Sequence, residues 1–268
     1  MDFKALALDL DGTTLVGEEL PEANRLALQR AVAAGYEIIV ATARWLPMAQ
    51  RIARQIGPHS VSIACSGAQV HDSRQGRDIF DVRLPADFTA DLFALCNAHR
   101  CIATVTVSER VLLKLDGAPD PDLLEPIMQW VPQLVVNYDD LPRIAAVQGS
   151  QACELIKQRL QPKYAGQVNI FDSIGPTGKL VLTITGKAAS KGAALAAACG
   201  HLHIDPQQVI AFGDAENDLA MFALAGASVA MGQAQAEVRQ AADYVSAANY
   251  DNGVAQAVDL ILARGRLP

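Results

Sequence analysis

Lys4-Ala-Leu-Ala-Leu-Asp9-Leu-Asp11-Gly12-Thr13-Thr14 runs from an apolar segment straight into two carboxylates two residues apart, then into a Gly-Thr turn. An apolar strand ending in paired like charges is unfavourable unless a cation or a proton compensates them. Open α/β sheets place their sites at the C-terminal ends of strands. The stretch therefore reads as the first strand of such a sheet, with chemistry in the loop that follows.

The rhythm on either side agrees. Residues 5–10 read as a strand, 22–34 as a helix ending at Gly35, 37–41 as a strand, 47–56 as a helix ending at Gly57, and 61–65 as a strand. Continuous apolar strands without alternation suit a parallel sheet covered on both faces. The last third resumes the pattern, with helices over 191–201, 218–225 and 253–263 and strands over 209–212, 228–231 and 244–246. The middle third differs. Helices over 88–99 and 152–163 lie among short strands at 102–107, 111–115, 134–137, 144–148, 168–171 and 180–185, the pattern of an α+β unit with an antiparallel sheet. The expected fold class is α/β: a doubly wound, Rossmann-like parallel-sheet core formed by residues 1–83 and 186–268. An α+β domain over residues 84–185 is inserted into it.

Composition narrows the function. The 268 residues are 51% hydrophobic and 19% charged, enough for a sizeable core in one or two domains. No apolar run approaches the roughly 18–20 residues that span a bilayer. The N-terminus lacks the basic and apolar regions of a secretory signal, so a cytoplasmic protein with no membrane partner is expected. The formal net charge of −7, without a long basic run, excludes a general nucleic-acid binder. Five cysteines, without C-x-x-C spacing, read as reduced and mostly buried thiols. His201-Leu-His203 has no third ligand nearby and reads as a helix end. The chain gives no sign of oligomeric state.

In a doubly wound sheet the loops after Asp9, Ala41 and Phe212 emerge at one edge. The first carries Asp9 and Asp11. The second carries Thr42 and Arg44 in Ala41-Thr-Ala-Arg44, and the last reads Gly213-Asp214-Ala-Glu216-Asn217-Asp218. Ser190-Lys191-Gly192 opens a helix between them, with Ser190 as N-cap. Asp9, Asp11, Asp214 and Asp218 cannot crowd together ionised without a cation, and an all-oxygen carboxylate set suits Mg²⁺. Thr42, Lys191 and backbone N–H groups after Asp11 suit a phosphate dianion. A carboxylate can serve as nucleophile, and a second as acid and then base.

With these residues the sequence resembles the haloacid dehalogenase-like phosphatase superfamily, and most closely its Cof-type branch, which carries a large inserted cap. D-x-D-G-T at 9–13, S-K-G-x-A-L at 190–195 and G-D-x-x-N-D at 213–218 carry the likeness in this order, with the insertion in the expected gap. The resemblance implies that Asp9 is the nucleophile and Asp11 the general acid/base. It implies Mg²⁺ on the Asp9 carboxylate, the Asp11 carbonyl and Asp214. Thr42 and Lys191 would bind the phosphoryl group, with Asn217 grouped beside them and Asp218 supporting metal and lysine. Arg44, Ser66 and Gly67 are placed on the substrate side.

Three departures from the family pattern stand out. Thr42-Ala43-Arg44 replaces Thr-Gly-Arg, so that loop must avoid φ > 0 at Ala43. Ser66-Gly67-Ala68 replaces Asn-Gly-Ala, and Gly232-Gln233-Ala234 replaces Gly-Asn-Ala. The expected function is a Mg²⁺-dependent phosphomonoesterase acting on a small phosphorylated metabolite that enters between core and cap. The alternatives are a phosphomutase or phosphotransferase on the same nucleophile, and a non-catalytic phosphometabolite-binding protein.

Overall fold

The computed structural model describes residues 2–58, 61–174, 178–265 and 267. It divides into two compact units, Met1–Phe80 with Ser190–Pro268, and Asp81–Ala189. In chain order the strands are β1 (Ala5–Leu8), β2 (Glu37–Ala41), β3 (Val61–Ala64), β4 (Gln69–Asp72), β5 (Arg77–Asp81), β6 (Ile102–Val107) and β7 (Arg110–Lys114). They continue as β8 (Met128–Val131), β9 (Ile144–Gln148), β10 (Val168–Ile174), β11 (Leu180–Gly186), β12 (Val209–Gly213), β13 (Ala227–Ala230) and β14 (Tyr244–Val245).

In the first unit the sheet order is β14-β13-β12-β1-β2-β3-β4-β5. Its first six strands are mutually parallel, and β4 turns back antiparallel on β3. β1 lies at the centre, and its alternation decides what covers each face. Ala5 and Ala7 pack against Ala194, Leu195 and Ala198 of the helix Lys191–Leu202. Leu6 and Leu8 face the other way, against Leu28 of the helix Glu22–Ala33 and Val258 of the helix Gly253–Arg264. Alanines on one side of the strand let the helix that begins with Lys191 lie close to the sheet. The leucines carry the packing on the other face, where truncating one to alanine costs about 2–5 kcal/mol.

The second unit is a sheet of order β10-β11-β9-β6-β7-β8. Its pairings are antiparallel except that of β7 with β8. The helix Ala86–Ala98 and the helical run over 150–163 share one apolar core with the sheet, including Phe88, Leu92, Val105, Val147, Ile156 and Leu182.

Three local readings change. Residues 134–137 form no strand: the Leu134 backbone N–H and C=O are both satisfied by the Asn97 side chain at 2.9 Å, and Val135 is 76% exposed. Met128–Val131 is the strand there, and neither it nor the mixed-polarity strands β4 and β5 had an apolar run to announce it. The helix expected over 152–163 begins at Ser150 and passes through a π turn, Ile156–Leu160, just before Pro162. The missing N–H of Pro162 rules out one regular i→i−4 bond, and the wider turn absorbs it. Among the described residues no helix is long and apolar enough to cross a membrane.

Candidate active site

The first loop leaves β1 at Asp9, whose backbone N–H donates to the Phe212 carbonyl of β12 at 3.0 Å. The residue is 4% exposed, and Thr14 Oγ1 donates to the Asp9 carbonyl at 2.5 Å. At Gly12 the chain adopts φ +78°, and a Cβ there would lie 2.3 Å from Asp214 Oδ2. Only glycine fits both the dihedral and the approach of Asp214. Thr13 Oγ1 then donates to Asp214 Oδ1 at 2.8 Å, so the turn after β1 orients a carboxylate from the loop after β12.

Asp9, Asp214 and Asp218 each offer a carboxylate oxygen, and these oxygens lie within 4.8 Å of one another. Lys191 enters the same cluster from its helix start, donating from Nζ to Asp9 Oδ1 at 2.5 Å and to Asp218 Oδ1 at 2.6 Å. The Lys191 side chain is 2% exposed, and Ser190 caps its helix by accepting from the Ala193 N–H at 3.0 Å. Asp218 uses its other oxygen to accept from the Asp214 and Ala215 N–H groups, each at 3.0 Å, and so closes its own loop.

Three buried or half-buried carboxylates thus surround one ammonium. Burial pushes the Asp9 carboxyl up to about 8, and Asp218 and Asp214 push the same way against the pull of Lys191. Asp214 is likewise raised by burial. Burial opposes the Lys191 charge, but Asp9 and Asp218 outweigh it and hold the ammonium protonated above its usual range. The cluster is short of positive charge, and its oxygen donors are of the kind that bind a hard divalent cation.

Asp11 is not one of the three clustered carboxylates. Its carboxylate is 53% exposed and receives Arg44, with Nη2 to Oδ1 at 2.5 Å and Nε to Oδ2 at 2.9 Å. Arg44 also donates from Nη1 to Glu18 at 2.5 Å, and the hydrogen bond to Asp11 raises its own pKa further. Thr42 is fully buried at the end of β2, and its hydroxyl accepts from the Arg44 N–H at 3.1 Å. Ala43 stays out of the left-handed region. Asn217 is exposed, and its side chain has no hydrogen-bond partner among the described residues.

The loop after β3 contributes through its backbone. Cys65 and Ser66 both adopt left-handed dihedrals, φ 53° and 56°, at a cost of roughly 1–2 kcal/mol each. Gly67 follows at φ +86°, where a Cβ would come within 2.3 Å of the Ser190 backbone. This turn packs on the helix start that presents Lys191. Sequence reasoning missed Thr13 as the hydroxyl that orients Asp214, and Gln233, which donates to the Gly12 carbonyl at 2.5 Å and accepts from the Asn249 N–H at 3.0 Å. Their signal was weak because both act on turn geometry. His201, at its helix end, is paired through Nε2 with Asp72 at 2.6 Å.

The model of the haloacid dehalogenase-like hydrolase family matches residues 6–258. The chain belongs to that family. It is 26% identical over 262 residues to the 5-amino-6-(5-phospho-D-ribitylamino)uracil phosphatase YcsE of Bacillus subtilis, covering 96% of this chain and 95% of that protein. It is 27% identical over 274 residues to the chloroplastic endoribonuclease YBEY of Arabidopsis thaliana, covering 96% of this chain and 46% of that protein. The chain therefore spans less than half the length of that relative. A haloacid dehalogenase-like hydrolase from Bacteroides thetaiotaomicron shares the fold with a TM-score of 0.81 at 21% identity, covering 97% of this chain and 99% of that one. The protein is an enzyme of this hydrolase family.

Proposed function

We propose that the protein is a Mg²⁺-dependent phosphomonoesterase that hydrolyses a small phosphorylated metabolite, a sugar phosphate or a similar compound, through an aspartyl-phosphate on Asp9. The observation that carries this reading is the cluster of Asp9, Asp214 and Asp218 around a single lysine, at the end of the central strand. The Asp9 and Asp214 carboxylates and the Asp11 backbone carbonyl would hold Mg²⁺, with Asp218 beside them. The ion supplies the positive charge that lets an anionic phosphate approach an anionic nucleophile.

The chain's own groups supply the rest. An Asp9 carboxylate oxygen attacks phosphorus in line, and the bond from phosphorus to the leaving oxygen breaks. Lys191 and the Thr42 hydroxyl hold the phosphoryl oxygens as charge builds on them, with Asn217 at the rim of the same loop edge. Asp11 gives its proton to the leaving alkoxide. Water then attacks the phosphorus of the acyl phosphate, Asp11 takes the proton back, and Asp9 is released. Arg44 fixes the Asp11 carboxylate between turnovers, and Ser66 and Gly67 shape the neighbouring wall.

The test is phosphate release from a panel of phosphomonoesters with Mg²⁺, with EDTA, and with EDTA followed by excess Mg²⁺. Free phosphate rather than an isomerised ester is the expected product. Asp9→Ala is expected to abolish release and to leave no acid-stable phosphate on the protein. Turnover near the wild-type rate in Asp9→Ala would refute the nucleophile, and turnover in EDTA would refute the metal.

A further inference from the structure

The second unit holds a feature that hydrolysis does not use. Cys101 lies just before β6 and lines a cavity of about 670 Å³ together with Arg100, Asp116, Gly149 and Ser150. Its thiol donates to the Cys96 carbonyl at 3.5 Å, on the last turn of the helix Ala86–Ala98. Cys101 is 6% exposed at the cavity wall, whereas Cys96 is completely buried behind it. Lys114, itself 3% exposed, supports a negative charge at Cys101. The third thiol of this core, Cys153, turns to the Val147 carbonyl at 3.3 Å.

We propose that Cys101 and Cys96 form a peroxide-responsive thiol pair, with Cys101 the site of oxidation and Cys96 the resolving thiol. The Cys101 thiolate attacks one oxygen of hydrogen peroxide; the O–O bond breaks, hydroxide leaves, and the sulfur becomes a sulfenic acid. The Cys96 sulfur then attacks the Cys101 sulfur. The S–O bond breaks, the Cys96 proton leaves with the hydroxyl as water, and a disulfide joins the helix end to β6.

The geometry fixes the order, since peroxide reaches the cavity wall before the thiol behind it. The electrostatics agree. The neighbouring Cys96 thiol, with help from Lys114, holds the Cys101 thiol below its usual range against burial and Asp116, and Cys101 together with burial raises Cys96. Thiolate character at an accessible sulfur is what selects one cysteine over another.

Trypsin cuts between the two residues at Arg100, so each falls in its own peptide, residues 84–100 and 101–110, with no other cysteine in either. The native full chain is treated with hydrogen peroxide, denatured, alkylated and digested without reductant. The expected result is a disulfide-linked pair of these two peptides, with their alkylated forms lost in equal amount and recovered by dithiothreitol. Cys96→Ser should stop at the sulfenic acid, trapped by dimedone on the 101–110 peptide, and Cys153→Ser should leave the link unchanged. Full recovery of alkylated Cys101 from wild type after peroxide would overturn the proposal. So would a link from Cys101 to Cys153, and neither reading depends on a variant that folds.

Discussion

At the residue scale the site rests on how few positive charges face its carboxylates. Lys191 contacts both Asp9 and Asp218, and it is buried with them. Lys191→Gln keeps a hydrogen-bonding side chain, one bond shorter, but removes the charge. Turnover should fall on the order of 10²–10³-fold, the range seen when one preorganised electrostatic donor is lost, read as kcat with saturating Mg²⁺. Thr13 tests a subtler dependence. Its hydroxyl orients Asp214, so Thr13→Val should raise the Mg²⁺ concentration needed for half-maximal activity by about 10-fold or more, as outer partners of metal ligands do. Activity titrated with Mg²⁺ checks this, and an unchanged midpoint would mean that Asp214 needs no such anchor. Asp9, Asp214 and Lys191 were legible in the sequence because charge beside an apolar strand demands an explanation. Thr13 and Gln233 were not, because a hydroxyl or amide that shapes a turn leaves no mark on hydropathy or charge.

At the scale of elements the decisive contact is between the turn after β3 and the start of the helix Lys191–Leu202. Gly67→Ala places a Cβ 2.3 Å from the Ser190 backbone at φ +86°. Overpacking and the dihedral penalty together should destabilise the protein by roughly 2–4 kcal/mol. Turnover should fall as well, because Lys191 is the next residue. Gly35→Ala is the control: φ is +94°, but nothing lies within 4 Å of the added carbon, so only the backbone cost of about 1–2 kcal/mol remains. Denaturant midpoints of the two variants separate close approach from dihedral strain, and equal losses would remove the packing argument. The central parallel strands were readable because they are apolar and buried, and the first two helices between them because each ends at a glycine. The second unit was harder. Leu134-Val135-Val136 looks like a strand, yet one asparagine, Asn97, takes both backbone groups of Leu134 and leaves the run without a partner strand. Such a substitution of side chain for strand depends on residues 37 positions apart, which no local pattern reports.

At the scale of the whole molecule, the charge cluster should make the stability of the metal-free protein depend on pH in an unusual direction. The folded chain holds a proton on Asp9 up to about pH 8, whereas the unfolded carboxyl releases it near the ordinary aspartate value of 3.8. Between those values the folded state binds more protons than the unfolded state, so stability falls as pH rises. Asp214, also raised, adds to the same trend. Lys191 does not oppose it: its pKa is raised, so its contribution is fully present below about pH 10 and is lost only in stronger alkali. Carboxylates held low by hydrogen bonds, such as Asp91 with Lys163 and Tyr164, contribute the opposite slope, but only as acid approaches their ordinary range. In the window from about pH 5 to pH 8 the proton on Asp9 therefore gives a falling slope, which the Asp9 variant separates from that of the histidines paired with Asp72 and Asp78. Thermal melts in EDTA should show a falling midpoint across this window, and Asp9→Asn, which cannot ionise, should flatten most of the slope. Adding Mg²⁺ should flatten it in the wild type too, because the ion replaces the proton as the compensating charge and stabilises the folded state by binding it. A wild-type midpoint in EDTA that rises or stays level from pH 5 to pH 8 would mean that the three carboxylates are compensated without a proton or a metal, and the electrostatic case for a cation at this site would fail with it.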